Sequence, residues 1–449
     1  MIGEMANRGV IPGTAVSPHN VAGARKHSVC QPMQLVKDYV LNQDLQTVIP
    51  KIVEHLVAAW RPRLEAIVLT GSFARGEGSV LRSANCLQVL GDMEFMLFYS
   101  PRTNLTVVEH VLAQQAKWLS CKLREQRVHC ELEFSPVKRR YINRLQPHIF
   151  GHELLTHGRV IWGKSDILDS ASAFPASSIP RWDAWRMLNN RLLEQLQWVT
   201  ELENGERALL ERAFYQILKC YIDIGTTLLI FAARYQPTYA TRAAELISWS
   251  EIVTETRLLP FLPLIAERVA ACTAFKLAPA SNRRLLGVQV DGSNEELRRG
   301  IKKLFADLVP LAHEVWRWEG AQLIQQRESA ETDDDRLRTH ILRSQRVQEK
   351  VRGWAKIALM SGVRSQRGFA KRMSILVGRG SPRYLIYSIA SQLYFKSPSI
   401  LKGEEPEVSE LESLLPVIFA QHEHERRSWW RLRANVLSSW QLFLRNHWA

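Results

Sequence analysis

The chain is short of cysteine, of metal-ligand spacing and of long apolar runs. Its six cysteines, at positions 30, 86, 121, 130, 220 and 272, are scattered through 449 residues and form no C-x-x-C pair. That excludes a disulfide framework or a cysteine zinc site and suits a reduced, cytosolic chain. The N-terminal stretch MIGEMANRGVIPGTAVSPHN has no apolar core of signal-peptide length. The most apolar helix candidate, Ile222 to Ala233, is too short to span a bilayer. The expectation is a soluble cytoplasmic protein with no membrane partner. His148, His152 and His157 match no familiar ligand set and read as surface residues. No internal repeat or low-complexity block occurs.

What is plentiful is positive charge. Lys and Arg number 59 against 45 Asp and Glu, a formal net charge of +14. This favours polyanions or anionic substrates such as nucleotides, although a basic, well-solvated surface would carry the same count. The apolar fraction of 46% is enough for real cores, and the length suits two to four domains.

Residues 1–32 lack periodicity and read as a flexible arm. From Gln34 to Trp60 apolar residues recur at helical spacing, with Pro50 a possible break. Leu64 to Thr70 (LEAIVLT) is a buried strand ending at a turn on Gly71. Ser79 to Val89 reads as a loop, Met93 to Tyr99 as a strand, Val107 to Gln126 as a helix and Val128 to Phe134 as a third strand. Glu153 to Gly163 closes this unit with a turn and a short strand. Beyond a Pro/Ser/Ala linker, Ala173 to Pro180, the pattern is helical to about Arg327. An acidic stretch, Glu328 to Asp335, precedes a last helical region. The expected fold is α+β: a small mixed sheet with flanking helices over residues 33–165, then all-α regions over 180–327 and 336–449. Most of the fourteen tryptophans fall in the helical part and read as packing residues. The Arg/Lys-rich stretch Val363 to Tyr384 reads as a solvated helix and loop.

The chemistry-bearing stretch runs from Val68 to Phe98. A strand meets Gly71-Ser72, where glycine lets the backbone turn sharply and approach a ligand. Backbone amides and the Ser72 hydroxyl suit phosphate oxygens, and Arg75 lies near enough to add charge. Strand period two puts Asp92 and Glu94 on one face, a hard oxygen pair suited to magnesium. Glu131 and Glu133 share one face of the next strand, while Val128, Cys130, Leu132 and Phe134 face the core. If those strands are neighbours, three carboxylates converge as two-metal transfer chemistry requires. Farther on, Tyr215, Lys219 and Asp223 lie four apart on one helix face. Lys219 there would reach a cleft or pair with Asp223.

The phrases TGSFARGE and GDMEF, with a later acidic strand and the ending HGRVIWGK, resemble the DNA polymerase beta-like nucleotidyltransferase superfamily. The likeness is to heads of the kanamycin nucleotidyltransferase type. It spans about residues 64–164, and loosely 182–245. It implies that Gly71 and Ser72 hold nucleotide phosphates and that Asp92 and Glu94 hold Mg2+ or Mn2+. Glu131 or Glu133 would be the third acid, with Glu131 counted among the metal ligands. It implies a nucleoside triphosphate co-substrate and an acceptor that is a small molecule, a protein or a nucleic acid. Lys219 would contact the triphosphate, followed by a Tyr and an Arg like Tyr239 and Arg242. Nineteen residues separate Ser72 from Asp92, a longer gap than the family usually shows. A second expectation therefore stands beside the first: a relative that has lost chemistry and binds nucleotide or polyanion as a scaffold.

Overall fold

The computed structural model describes residues 33–83, 86–254, 258, 260–281, 284–324, 333–360, 369–416 and 428–443. The expected arm over 1–32 lies outside them, as do parts of the acidic stretch and of the Arg/Lys-rich stretch. Residues Gln34–Ala449 form one compact unit. The architecture is mixed: a five-stranded sheet set among many helices.

Helix α1 (Tyr39–Trp60) is capped by Asp38, whose side chain accepts from the Leu41 amide. Its buried stripe of Leu41, Leu45, Val48, Ile49, Ile52 and Leu56 follows the 3.6-residue period, and Pro50 sits inside it without ending it. Strand β1 (Leu64–Leu69) is almost wholly buried, as a β-branched apolar run predicts. The short helix α2 (Gly71–Ala74) follows at once.

The stretch expected as a loop, Ser79 to Val89, is instead a hairpin. Strand β2 (Val80–Ser83) pairs antiparallel with the start of β3 (Cys86–Tyr99), from Val80 opposite Val89 to Ser83 opposite Cys86. This hairpin occupies the stretch between the Gly71 turn and Asp92 and leaves the acidic part of β3 in the sheet. The local sequence mixes apolar and polar residues without a regular period, and the cross-strand partner makes it extended.

Helix α3 (Leu105–Glu125) is capped by Asn104 and packs on β4 (Val128–Lys138), which runs parallel to β3. Helices α4 (Arg139–Asn143) and α5 (Ile149–His157) lead to β5 (Arg159–Gly163), paired with β1. The strand order is β2-β3-β1-β5, with β4 on the other edge of β3. Ala66, Val68, Met96 and Phe98 form a small core with Ile142 and Leu154 on one face of the sheet.

The helical part holds α6 (Arg181–Asn204), α7 (Arg207–Phe231), α8 (Tyr239–Ile252), α9 (Leu262–Leu277) and α10 (Asn294–Leu323). It continues with α11 (Asp334–Ser344), α12 (Val347–Met360), α13 (Phe369–Arg379), α14 (Pro382–Leu401), α15 (Ser409–Leu414) and α16 (Ser428–Phe443). A minor hairpin, Arg284–Leu285 with Val288–Gln289, lies before α10. The stretches expected apart, 180–327 and 336–449, contribute to one shared hydrophobic core from Ile179 to Trp440. Its tryptophans pack there, Trp185 against Trp316 and Trp249 against Trp318. Among the described residues α7 alone has the length and composition of a membrane span, and 89% of its most apolar window is buried by the protein itself.

Candidate functional site

Strand β3 pairs with two strands along one edge: β2 as far as Val89, and β1 from Phe95 onward. Between them the edge from Leu90 to Glu94 is left to the segment after β1. Thr70 donates its amide to the Glu94 carbonyl at 2.9 Å, and Leu90 donates to the Ser79 carbonyl at 3.0 Å. On the opposite edge the register with β4 shifts between Gln88 and Asp92. Extra residues there, including Gly91, bend the strand just before the acids, as bulges beside functional sites do.

Gly71 is seated in this gap at φ +66°, a conformation that side chains other than glycine's seldom adopt. A Cβ at Gly71 would lie 2.7 Å from Cδ and Oε1 of Glu94 and 2.8 Å from Oε2. The turn and the second acid therefore touch, and glycine is required both by the backbone angle and by the space. Ser72 is the next residue on the same turn.

Asp92 and Glu94 lie on one face of β3, half-buried, with Met93 buried beneath. Burial raises the Asp92 carboxyl, but Lys219, backbone amides, Lys276 and Arg191 outweigh it and hold Asp92 below the usual carboxylate range. Glu94 goes the other way. Burial, Asp92 and Glu133 push it up to about 8, against weaker help from Lys219 and Arg75. Proximity and burial thus drive the two carboxyls apart, Asp92 toward the charged form and Glu94 toward the neutral one.

In the parallel register Asp92 stands beside Glu131 and Glu94 beside Glu133. The two candidate third acids then part. The charge of Glu133 acts on Glu94. Both acids are exposed, and Glu131 is ion-paired with Arg212 of α7. Glu131, expected among the metal ligands, thus meets a cation of α7, a contact that sequence spacing within β4 does not reveal. Among the described residues no three His, Cys, Asp or Glu side chains make a group that holds a metal ion by itself. Asp92 and Glu94 remain a two-carboxylate, hard-oxygen donor set. Magnesium is commonly bound by one or two carboxylates completed by substrate phosphates, and the residues present fit that open mode.

The wall facing β3 comes from α6, α7 and α9. Lys219 faces Asp92 and does not pair with Asp223. Asp223 is instead bonded to Arg191 of α6, Nε to Oδ2 at 2.6 Å. Burial and Arg191 oppose the charge on Lys219, yet Asp92, Tyr215 and Glu194 raise its pKa overall. Tyr215 accepts from Lys276 of α9, Nζ to Oη at 3.0 Å, and its hydroxyl lies 3.5 Å from where a Gly91 Cβ would be. Burial raises the Tyr215 phenol, but Lys276 and Lys219 bring it below its ordinary value. Lys276 and Arg191 were not anticipated. Both sit in ordinary amphipathic sequence, and only tertiary packing brings their charges to bear on Asp92.

Arg75 is placed differently from expectation. Its side chain is only 2% exposed; it donates to Glu77 at 3.3 Å and to Glu153 of α5 at 2.5 Å. Buried carboxylates on both sides hold these nitrogens, so Arg75 braces the turn from behind. Arg242 is likewise enclosed, bonded to Glu153, Tyr235 and the Gln236 carbonyl. The described cysteines Cys86, Cys121, Cys130, Cys220 and Cys272 are free thiols. Compared with known proteins, the chain matches no family model, no curated protein and no solved structure.

Proposed function

We propose that this chain is a nucleotidyltransferase that moves a nucleoside monophosphate from a nucleoside triphosphate to a hydroxyl or amine acceptor. The observation that carries the reading is the contact of the Gly71 turn with Glu94, with the Lys219 charge of α7 acting on Asp92. A backbone turn free of side-chain bulk, two acids on one strand face and an opposing lysine supply what a metal-bound triphosphate needs.

In this reading Asp92 and Glu94 hold Mg2+ or Mn2+. Bound there, the metal would neutralise phosphate charge and lower the pKa of the attacking hydroxyl. Gly71 and Ser72 orient the phosphates. Lys219 stabilises charge on the departing pyrophosphate. Glu133 accepts the proton of the acceptor as its oxygen or nitrogen bonds to the α-phosphorus and the bond to pyrophosphate breaks. The setting proposed is cytoplasmic, and the acceptor is a small molecule, a protein or a nucleic acid.

A second reading has its own support. Glu131 is tied to Arg212, and no closed three-ligand group is present among the described residues. A protein that binds nucleotide or polyanion without transfer would also carry these features. Incubation with α-labelled and γ-labelled nucleotides, Mg2+ and a cell extract separates the two. Transfer of α-label alone supports the enzyme, and nucleotide binding without transfer supports the scaffold.

A further inference from the structure

The phrase that carries the turn, Thr70 to Glu77, includes two charged residues that the transfer chemistry leaves unused. Both are buried. Arg75 Nη1 donates to Glu153 of α5 at 2.5 Å, and its guanidinium lies 4.5 Å from the centre of the Tyr239 ring on α8. Glu77 is 3% exposed and accepts the amides of Tyr239 at 2.9 Å and Ala240 at 3.2 Å, the first turn of α8. The Glu77 amide in turn donates to the Ser72 carbonyl at 2.9 Å. Glu153 also accepts from Arg242 of α8 and from Tyr235. The Tyr239 ring is approached by Arg75, by Lys276 at 5.1 Å and by Arg242 at 5.2 Å. The segment thus leaves the sheet at Gly71, presents Ser72 and returns onto α8 through a closed set of charges.

We propose that Arg75 and Glu77 are positioning residues that lock the Gly71-Ser72 turn to helix α8. A glycine turn by itself has wide conformational freedom. Buried, fully bonded ion networks restrict such freedom strongly, and losing one partner leaves another charge uncompensated. The seat of the turn against Glu94 then depends on the helical region, through an Arg75 side chain that is buried between Glu77 and Glu153. The lock is a statement about structure; its consequence for a triphosphate rests on the nucleotidyltransferase reading.

The test uses the full chain with Arg75→Met and Arg75→Lys. Amide hydrogen exchange is followed over residues 71–78 and 239–242, and Mn2+ and a non-hydrolysable ATP analogue are titrated separately. Arg75→Met is expected to speed exchange in both segments by about tenfold or more, with β1 and β3 protected as in the wild type. It should weaken the triphosphate analogue by about tenfold while Mn2+ affinity stays near the wild-type value. Arg75→Lys, which keeps the charge but not the fork that reaches both Glu77 and Glu153, should recover part of both. Wild-type exchange over 71–78 in Arg75→Met, or no recovery with lysine, overturns the lock. If Arg75→Met does not fold, Glu77→Gln is read in its place, and unchanged exchange in both segments overturns the lock equally. Accelerated exchange in a protein whose wild type binds no nucleotide would retire the nucleotidyltransferase reading and leave the lock standing. Nucleotide binding without acceleration would do the reverse.

Discussion

Gly71 lies against the carboxylate of Glu94, so closely that a methyl group on Gly71 would stand 2.7 Å from Glu94 Cδ. With the glycine at φ +66°, a side chain there meets both backbone strain and a clash. Gly71→Ala should destabilise the fold by about 1–2 kcal/mol, the cost of a left-handed non-glycine residue. It should also displace Glu94. Denaturant midpoints measure the first effect and nucleotide titration the second. Gly71→Val, β-branched, should abolish nucleotide binding, and wild-type affinity in that variant would make the segment an ordinary turn.

Glu94 predicts a pH dependence. Its pKa in the fold is about 8, above the ordinary 4.5, so between those values the native state binds a proton that the unfolded chain lacks. Stability from this group is complete below the ordinary value and is lost as pH rises toward about 8. Glu94→Gln should remove that decline. Metal must displace the same proton, so Mn2+ affinity should rise with pH through this window and release protons on binding. Calorimetry in two buffers of different ionisation enthalpy detects that release; a metal affinity independent of pH would separate Glu94 from the metal.

The two acids of β4 should behave unlike each other. Glu133 acts on Glu94, so Glu133→Gln should lower the Glu94 pKa and move the rise of Mn2+ affinity to lower pH. Glu131 is exposed and held by Arg212, and an exposed pair of this kind contributes about 0–1 kcal/mol. Glu131→Gln should leave metal binding and stability near the wild type. Equal effects of the two substitutions would return Glu131 to the site.

Lys219 faces Asp92 and leaves Asp223 to Arg191. Lys219→Met keeps the apolar stem and removes the charge. Triphosphate binding should fall by about 1–3 kcal/mol, the scale of a hydrogen bond to a charged group. Nucleoside binding should hold, because the lost charge faces phosphate. Titration of both ligands decides: equal weakening would indicate general disruption, and no change would take Lys219 out of the site.

The legible parts of this protein are those fixed by local pattern. The run LEAIVL became β1, and period two put Asp92 and Glu94 on one face of β3. The helical stripe of α1 ran on through Pro50. What stayed hidden depends on residues distant in the chain. The β2–β3 hairpin needs its partner strand before its irregular sequence becomes extended. Glu131 and Glu133 are equivalent by spacing, and the pairing of Glu131 with Arg212, 81 residues away, is invisible in it. Arg75 looked like a phosphate contact because it follows the turn; Glu153 and the first turn of α8, which claim Arg75 and Glu77, lie far along the chain.

The central claim is that Asp92 and Glu94 support transfer of a nucleotidyl group. It is tested most directly by incubating wild type and Asp92→Asn with α-labelled triphosphate, Mg2+ and cell extract, with a γ-labelled control. The account predicts that label from the α position enters an acceptor with wild type only, that γ-label leaves as pyrophosphate, and that Asp92→Asn stays folded while transfer is lost. Transfer undiminished in Asp92→Asn, or nucleotide bound by wild type with no α-label moved to any acceptor, would contradict it.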